Sequence, residues 1–448
     1  MEFSTELIEK IVALMMGEIS EWVQDGSGAG ALELEEGLRE GLLGVGAACL
    51  KGALESQDER YPQHEVNCRC GQKAKYVAKR EAKTLSVFGW VSYRRAYYVC
   101  PHCHKGQSPL DHRLGLRPGQ VSVALASLVA LEAIDVSFDQ ASRKIEQLLL
   151  VKVAENTVRK VTEDFGELQA HEEEALIEES QDVDNLIARR RSISDPPKRL
   201  YGALDGVLVP VDVEYRELKC GCYFETEERG RASPSEVGDT STLRATQISY
   251  FCDLTDAAGF RDLVWAEGYR RAADRAEEIV FVADGAAWIW KLVEYHFPKA
   301  TQIVDWYHAA AYLKAIAEAA YEDNDAAGDA WLERARTQLW EGQIDQIIAT
   351  CREHEEHTVA APLVHKAISY YTNNRKRMDY GRLRKEGYQI GSGNVESACK
   401  QIGTQRLKRA GARWSEPGAR YTAKARAVWL SHEWPSLVQR CATLARAA

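Results

Sequence analysis

Between residues 199 and 308, short β-branched and apolar runs alternate with stretches of helical spacing. The runs at 200–204, 207–213 and 247–252 predict three consecutive strands. A helix (272–278), a strand (279–283), a helix (286–295) and a strand (302–304) are expected next. From about 309 to 390 the pattern is helical, clearest at 309–321, 330–339 and 345–351, before Gly391-Ser392-Gly393-Asn394 opens another helix. Upstream, residues 1–60 place apolar pairs at helical spacing (Leu7-Ile8, Ile11-Val12, Leu14-Met15), interrupted by the glycine-rich turn 25–30. Residues 85–88 and 90–99 predict a hairpin broken at Gly89. Helical spacing returns over 118–180, and the basic, proline-containing stretch 188–198 predicts a linker.

Three strands followed by alternating helix and strand is the layout of an RNase H-like mixed sheet. The expected class is therefore multidomain α+β: an RNase H-like sheet with an all-helical insertion, preceded by zinc-ribbon and helix-turn-helix-like modules. The expected boundaries are an N-terminal helical region (1–60), a zinc ribbon (61–112) and a helical DNA-binding region (113–190). The catalytic core follows in two parts, 199–308 and 391–448, flanking the insertion at 309–390.

At 448 residues, 45% hydrophobic and 28% charged, this composition describes a folded soluble protein of several domains. The start of the chain lacks the basic-then-apolar layout of a signal peptide, and the most apolar stretch (121–134) is too short for a membrane span, so a cytoplasmic protein is expected. The 11 cysteines argue against a disulfide framework in that compartment. The net charge of −10 hides an asymmetry: residues 361–448 carry 17 Lys and Arg against 5 Asp and Glu, whereas residues 1–60 carry 13 acidic and 4 basic residues. A basic C-terminal segment suits contact with phosphates.

Candidate chemistry lies at the ends of the predicted elements. Asp205 and Asp284 each end an apolar run and precede glycine, and Glu396 opens a helix. Carboxylates on strand ends and on a nearby helix can share two divalent cations, the equipment for attack on a phosphodiester. Asp305 and His308 stand three apart at a helix start, able to orient a water, a phosphate or a metal-bound carboxylate, or else to serve as a cap with its hydrogen-bonded histidine. Cys68, Cys70, Cys100 and Cys103 flank the hairpin and suit a structural four-thiolate zinc site. The tight Cys-x-Cys spacing leaves His64, His102 and His104 as alternative ligands, and reduced cysteines in a hairpin as the plainer alternative. Cys220 and Cys222 have no matching pair and read as structural. Two helices over 139–150 and 154–162 resemble a helix-turn-helix that offers Asn156, Arg159 and Lys160 to a DNA groove, although any αα-hairpin looks similar. In the basic run after Glu396, Arg406, Lys408, Arg409 and Arg413 suit phosphates and Trp414 a stacked base, with Arg375, Lys376, Arg377, Arg382, Arg384 and Lys385 extending the track. The alternative there is a solvated face with a core tryptophan.

The order Asp205, Asp284, Asp305-x-x-His308, helical insertion, Glu396 resembles the Mutator-like group of DDE transposases. Cys68-x-Cys70-Gly71, Tyr93-Arg94-Arg95-Ala96-Tyr97-Tyr98, Leu204-Asp205-Gly206, Val304-Asp305-Trp306-Tyr307-His308 and Val395-Glu396-Ser397 are closer still to the ISKra-type bacterial insertion-sequence transposases. The resemblance runs from about residue 60 to about 432. It implies that Asp205, Asp284 and Glu396 form a catalytic triad holding Mg²⁺ (or Mn²⁺), with Asp305 and His308 as an accessory signature. It also implies double-stranded DNA partners (terminal inverted repeats and target), cleavage followed by strand transfer, a nucleoid-associated protein, a homodimer or larger assembly, and no membrane. The alternatives are an RNase H-like nuclease or resolvase that cuts without joining, and a zinc-containing DNA-binding regulator.

Overall fold

The computed structural model describes residues 30–61, 64–192, 195–228, 243–321 and 326–447, with isolated positions before residue 30. The expected helix pairs at 7–15 and the glycine-rich turn up to residue 29 lie outside the described residues. The chain is mixed α+β and divides into two compact units, Met1–Leu168 with Glu433–Ala448, and Gln169–His432.

The first unit is built on an antiparallel sheet in the order β1 (Glu65–Asn67), β2 (Lys73–Ser86), β3 (Gly89–Val99), β4 (Gly106–Gln107). The hairpin turn falls at 87–88, just before the expected break at Gly89, which is the first residue of β3, and β2 begins at Lys73, well before the expected residue 85. Helix Ala31–Asp58 lies on β3, pinned where the buried Asp58 carboxylate accepts the Ala96 N–H at 2.8 and 3.0 Å. A second buried carboxylate, Asp111, accepts from Tyr93 Oη (2.8 Å) and Arg95 Nε (2.9 Å), so the polar groups at the centre of this sheet are satisfied. Helices Val123–Ala133 and Phe138–Leu149 and the first turns of Glu155–Gln181 close a separate apolar cluster around Leu125, Val129, Ile145 and Val158. Ser122 and Ser137 cap the first two of these helices.

The second unit holds a five-stranded mixed sheet in the order β7-β6-β5-β8-β9: β5 (Arg199–Val211), β6 (Glu214–Glu228), β7 (Leu243–Asp253), β8 (Glu278–Ala283) and β9 (Thr301–Val304). β5, β6 and β7 are antiparallel, whereas β8 and β9 run parallel to β5. The parallel strands are covered on both faces, which is why Val280-Phe281-Val282-Ala283 is uniformly apolar and buried.

Three expectations are corrected here. The runs at 200–204 and 207–213 are one continuous strand, so Asp205 sits in mid-strand opposite Cys220 rather than at a strand end. The helix expected at 272–278 lies earlier, at Ala257–Arg270. The expected linker at 188–198 is helical as far as Ser192. Residues 306–385 are mainly helical where described, with segments Trp306–Ala320, Ala326–Trp340, Ile344–Arg352, Ala361–Asn374 and Tyr380–Lys385 joined by short turns, as the pattern predicts. Among the described residues, no helix is long and apolar enough to cross a membrane.

Candidate functional site

Strand register gathers the carboxylates. Leu204 pairs with Ala283, and Ala283 with Val304. The next residue on each strand is acidic, so Asp205, Asp284 and Asp305 stand side by side across β5, β8 and β9, at steps of ~4.8 Å. Each is fixed by its own backbone: Asp205 Oδ1 accepts from Gly206 N (2.7 Å), and Asp284 Oδ1 from Ala286 N (2.8 Å). Asp305 caps helix Trp306–Ala320 by accepting His308 N at 2.8 Å, and also accepts Ser392 N.

Glu396 reaches this row from helix Gly393–Ala398, which continues as a π-helical segment, Cys399–Leu407, over β5. Gly403 permits that approach, because a Cβ there would lie 2.4 Å from Val207 Cγ1. Glu396 Oε1 accepts from Ser392 Oγ (3.3 Å) and lies 3.3 Å from His308 Nδ1, while His308 Nδ1 is 3.6 Å from Asp305 Oδ1. Asp305, His308 and Glu396 form one of two clusters among the described residues that could hold a metal ion.

The electrostatics tie the pieces together. Burial raises Asp205 above the usual carboxylate range, the Gly206 N–H opposes this, and negative Asp284 adds to the rise. Asp305 is wholly buried, which would raise it too, but His308 and the Ser392 N–H hold it low. The Asp305 carboxylate raises His308 to about 9 against its desolvation, with Glu396 and Asp284 contributing. His308 therefore sits among four carboxylates, three of which accept backbone N–H groups. Asp305 is the least available of the row, being fully buried and accepting from two elements, whereas Asp284 is half-buried.

The second cluster is Cys68, Cys70, Cys100 and Cys103, whose sulfurs lie within 4.8 Å of one another. Cys68 and Cys70 occupy the β1–β2 turn, and Cys100 and Cys103 the β3–β4 turn, with Sγ pairs Cys68–Cys103 and Cys70–Cys100 each at 3.6 Å. Backbone N–H groups of Cys103 and His102 outweigh burial and pull Cys100 down to about 6. Cys70 receives an N–H from Gln72, but desolvation and the three other thiols outweigh it and push it up to about 12. Such a split marks thiols that cannot all ionise alone and that a cation would let ionise together. The set is four sulfurs, with none of the alternative histidines in it. Cys220 and Cys222 are buried in β6.

The nucleic-acid candidates divide. Asn156, Arg159 and Lys160 are exposed on one stretch of helix, with Arg159 paired to Glu163 at 3.0 Å. Lys408, Arg409 and Arg413 are exposed. Arg406 and Trp414 are not: both are buried, the guanidinium lies 4.7 Å from the ring centroid, and Trp414 Nε1 donates to Leu407 O at 3.0 Å. A base cannot stack on a tryptophan already covered by an arginine, so these two expectations are corrected to a packing role. Several residues of the proposed basic track are also spent on ion pairs, Arg375 with Asp345, Arg377 with Glu294, Arg382 with Asp379 and Glu386, and Arg384 with Glu341.

The molecule is thus a mixed α+β protein with one thiol cluster and one carboxylate cluster suited to cations. Residues 27–186 match the model of an uncharacterised protein family (UPF0236), a match that takes in the thiol cluster and ends before Asp205. No curated protein matches the chain.

Proposed function

We propose that the chain is a DDE transposase of the ISKra type, related to the Mutator-like enzymes, which binds the ends of an insertion sequence, cleaves them and joins them to target DNA. The observation that carries this reading is the register Leu204–Ala283, which sets Asp205 and Asp284 on adjacent strands with Glu396 arriving from a helix packed over β5. The strand order β7-β6-β5-β8-β9, with three antiparallel strands followed by two parallel ones, supports an RNase H-like core, and the helices between β9 and Glu396 support an insertion.

The donor set fits hard cations. Asp205, Asp284 and Glu396 offer carboxylate oxygens, and Asp205 bears a desolvation and like-charge penalty that Mg²⁺ or Mn²⁺ would relieve. Bound there, two such ions would activate the attacking oxygen and stabilise the leaving one. The protein's own contribution is to hold the carboxylates in register, with His308 placed between Asp305 and Glu396. The thiol cluster fits zinc: four thiolates ~2.3 Å from one ion sit ~3.8 Å apart in a tetrahedron, close to the spacing of the two Sγ pairs. Asn156, Arg159 and Lys160 supply an exposed surface for end DNA, and joining two ends calls for at least a dimer.

The test is a Mg²⁺-dependent cleavage and strand-transfer assay on DNA carrying the ends that flank the gene. Wild type should give cut and joined products, and Asp205→Ala should give neither while still binding the ends. Full strand transfer by Asp205→Ala would refute the assignment. Cutting without joining by wild type would favour a nuclease or resolvase, and metal-independent repression without cutting would favour a regulator.

A further inference from the structure

Behind Asp205 lie thiols that the mechanism above leaves unused. Asp205 pairs with Cys220, and Cys220 with Cys252. Residues directly opposite one another share a face of a sheet, so one carboxylate and two thiols stand in a row across β5, β6 and β7. Cys399, the first residue of the π-helical segment, reaches that row from above β5. Its thiol lies within hydrogen-bonding reach of both the Asp205 carboxylate and the Cys220 thiol. Cys220 and Cys252 are fully buried, Cys399 is 6% exposed, and all three are free thiols. They form no further cation cluster among the described residues.

A buried cysteine usually fills space as a small apolar residue. Three features set Cys399 apart. It follows Glu396 by three positions, so the two side chains leave one helix face a turn apart, and a shift of either moves the other. It also stands at the joint where helix Gly393–Ala398 gives way to π turns, a geometry found most often at functional sites. Beyond that joint the segment is tied down by its neighbours: Arg426 Nε donates to Gln401 O at 2.6 Å, and Trp414 Nε1 to Leu407 O at 3.0 Å. Gly403 presses on Val207 of β5. Third, Asp205 receives one backbone donor, the Gly206 N–H at 2.7 Å, although a carboxylate has room for about four. In a site shielded from water even a weak S–H donor directs a carboxylate.

We propose that Cys399 is a positioning residue: its S–H donates to Asp205, aims that carboxylate along the row toward Asp284, and ties it to the helix that carries Glu396. Cys220 backs the thiol from β6. Cys399 acts through Asp205 and touches neither metal nor DNA. The inference rests on the transposase reading above for the cations that the carboxylates hold, whereas the contact between thiol and carboxylate exists without them.

The test has two arms, both on the full-length, zinc-loaded protein, with circular dichroism melting to check that each variant folds. In the first, without added Mg²⁺ or Mn²⁺, difference infrared spectra against Cys399→Ala isolate the Cys399 S–H stretching band. That band should shift in Asp205→Asn, because its acceptor changes from a carboxylate to an amide. In the second, Mn²⁺ affinity is read by electron paramagnetic resonance. Cys399→Ala should weaken it about tenfold or more, the scale for losing a group that orients a metal ligand. Cys399→Ser keeps a donor and should recover most of that loss. In an Asp205→Asn background Cys399→Ala should add nothing, since a residue that acts through Asp205 has nothing left to act on. A band unmoved by Asp205→Asn would overturn the contact. Wild-type affinity in Cys399→Ala, a serine variant no better than the alanine one, or a full further loss in the Asp205→Asn background would each overturn the positioning role and leave the metal centre standing. A shifted band with no Mn²⁺ bound by wild type would uphold the contact and sink the transposase reading.

Discussion

The two candidate cation clusters are built on opposite principles. The cysteine set sits on two tight turns of a small antiparallel sheet, closed where left-handed Gly71 (φ 84°) and His104 (φ 58°) donate their N–H groups to Cys68 O and Cys100 O, each at 2.9 Å. Four soft ligands complete a tetrahedron and leave no place for a substrate, the mark of a structural site. The carboxylate set is spread over three strands and a distant helix, offers hard oxygens, and leaves Glu396 and His308 each 44% exposed. Positions left open are what a reacting phosphodiester needs. The thiols Cys68 and Cys100 are part of a small apolar cluster with Ala74, Ala96 and Tyr98, while the carboxylates stand on a larger aromatic core formed by Tyr201, Tyr223, Phe224, Phe251 and Phe281.

That contrast can be broken or sharpened experimentally. The largest effect is expected at the thiols. Chelation of the metal, or Cys100→Ser, should unfold the sheet of the first unit, since structural zinc contributes on the order of 10 kcal/mol to such modules. Loss of near-ultraviolet dichroism and protease resistance over residues 64–107 would register it. Removing Mg²⁺ should leave the melting profile of the second unit almost unchanged.

The second unit should fail instead through its own buried charges. Lys424 is fully buried, donates to Glu173, lies 2.9 Å from Asp253, and gives a 3.0 Å hydrogen bond to Cys252 O. Lys424→Met should destabilise by about 3–5 kcal/mol, the scale for stranding buried partners, as read by urea denaturation. A smaller effect is expected from His296, which burial, aided by Arg261, holds down to about 4. Its folded value lies below the unfolded value of ~6.5, so its neutral form is favoured by the fold. Stability from this residue is complete above ~6.5 and is lost as the pH falls toward about 4. His296→Gln should flatten the melting temperature over that window relative to wild type, and an unchanged pH profile would contradict the assignment.

Some of this was legible in the chain and some was not. Asp284 and Asp305 are legible because the apolar runs 279–283 and 303–304 that end two short parallel strands stop abruptly at acid. Asp205 reads as a strand end because glycine follows it. In the structure Gly206 is an interior strand residue, where a Cβ would meet Glu217 Oε1 at 2.2 Å. β6 gave no clear strand signal because its Lys219-Cys220-Gly221-Cys222 stretch reads as a cysteine motif, and only pairing with β5 and β7 makes it central. Helix Ala257–Arg270 was hidden by Gly259 and Gly268, the second of which admits Tyr223 Oη and Phe297. Trp414 looked available in sequence, and only the tertiary contacts with Arg406 and Leu407 reveal it as core.

The most direct measurement is Mn²⁺ binding by electron paramagnetic resonance to the zinc-loaded full-length protein, comparing wild type with Asp205→Asn and Asp284→Asn. Wild type should hold Mn²⁺ in competition with Mg²⁺, and each variant should weaken binding at least tenfold with zinc content unchanged. Unchanged Mn²⁺ binding in both variants would contradict a metal centre on these strands.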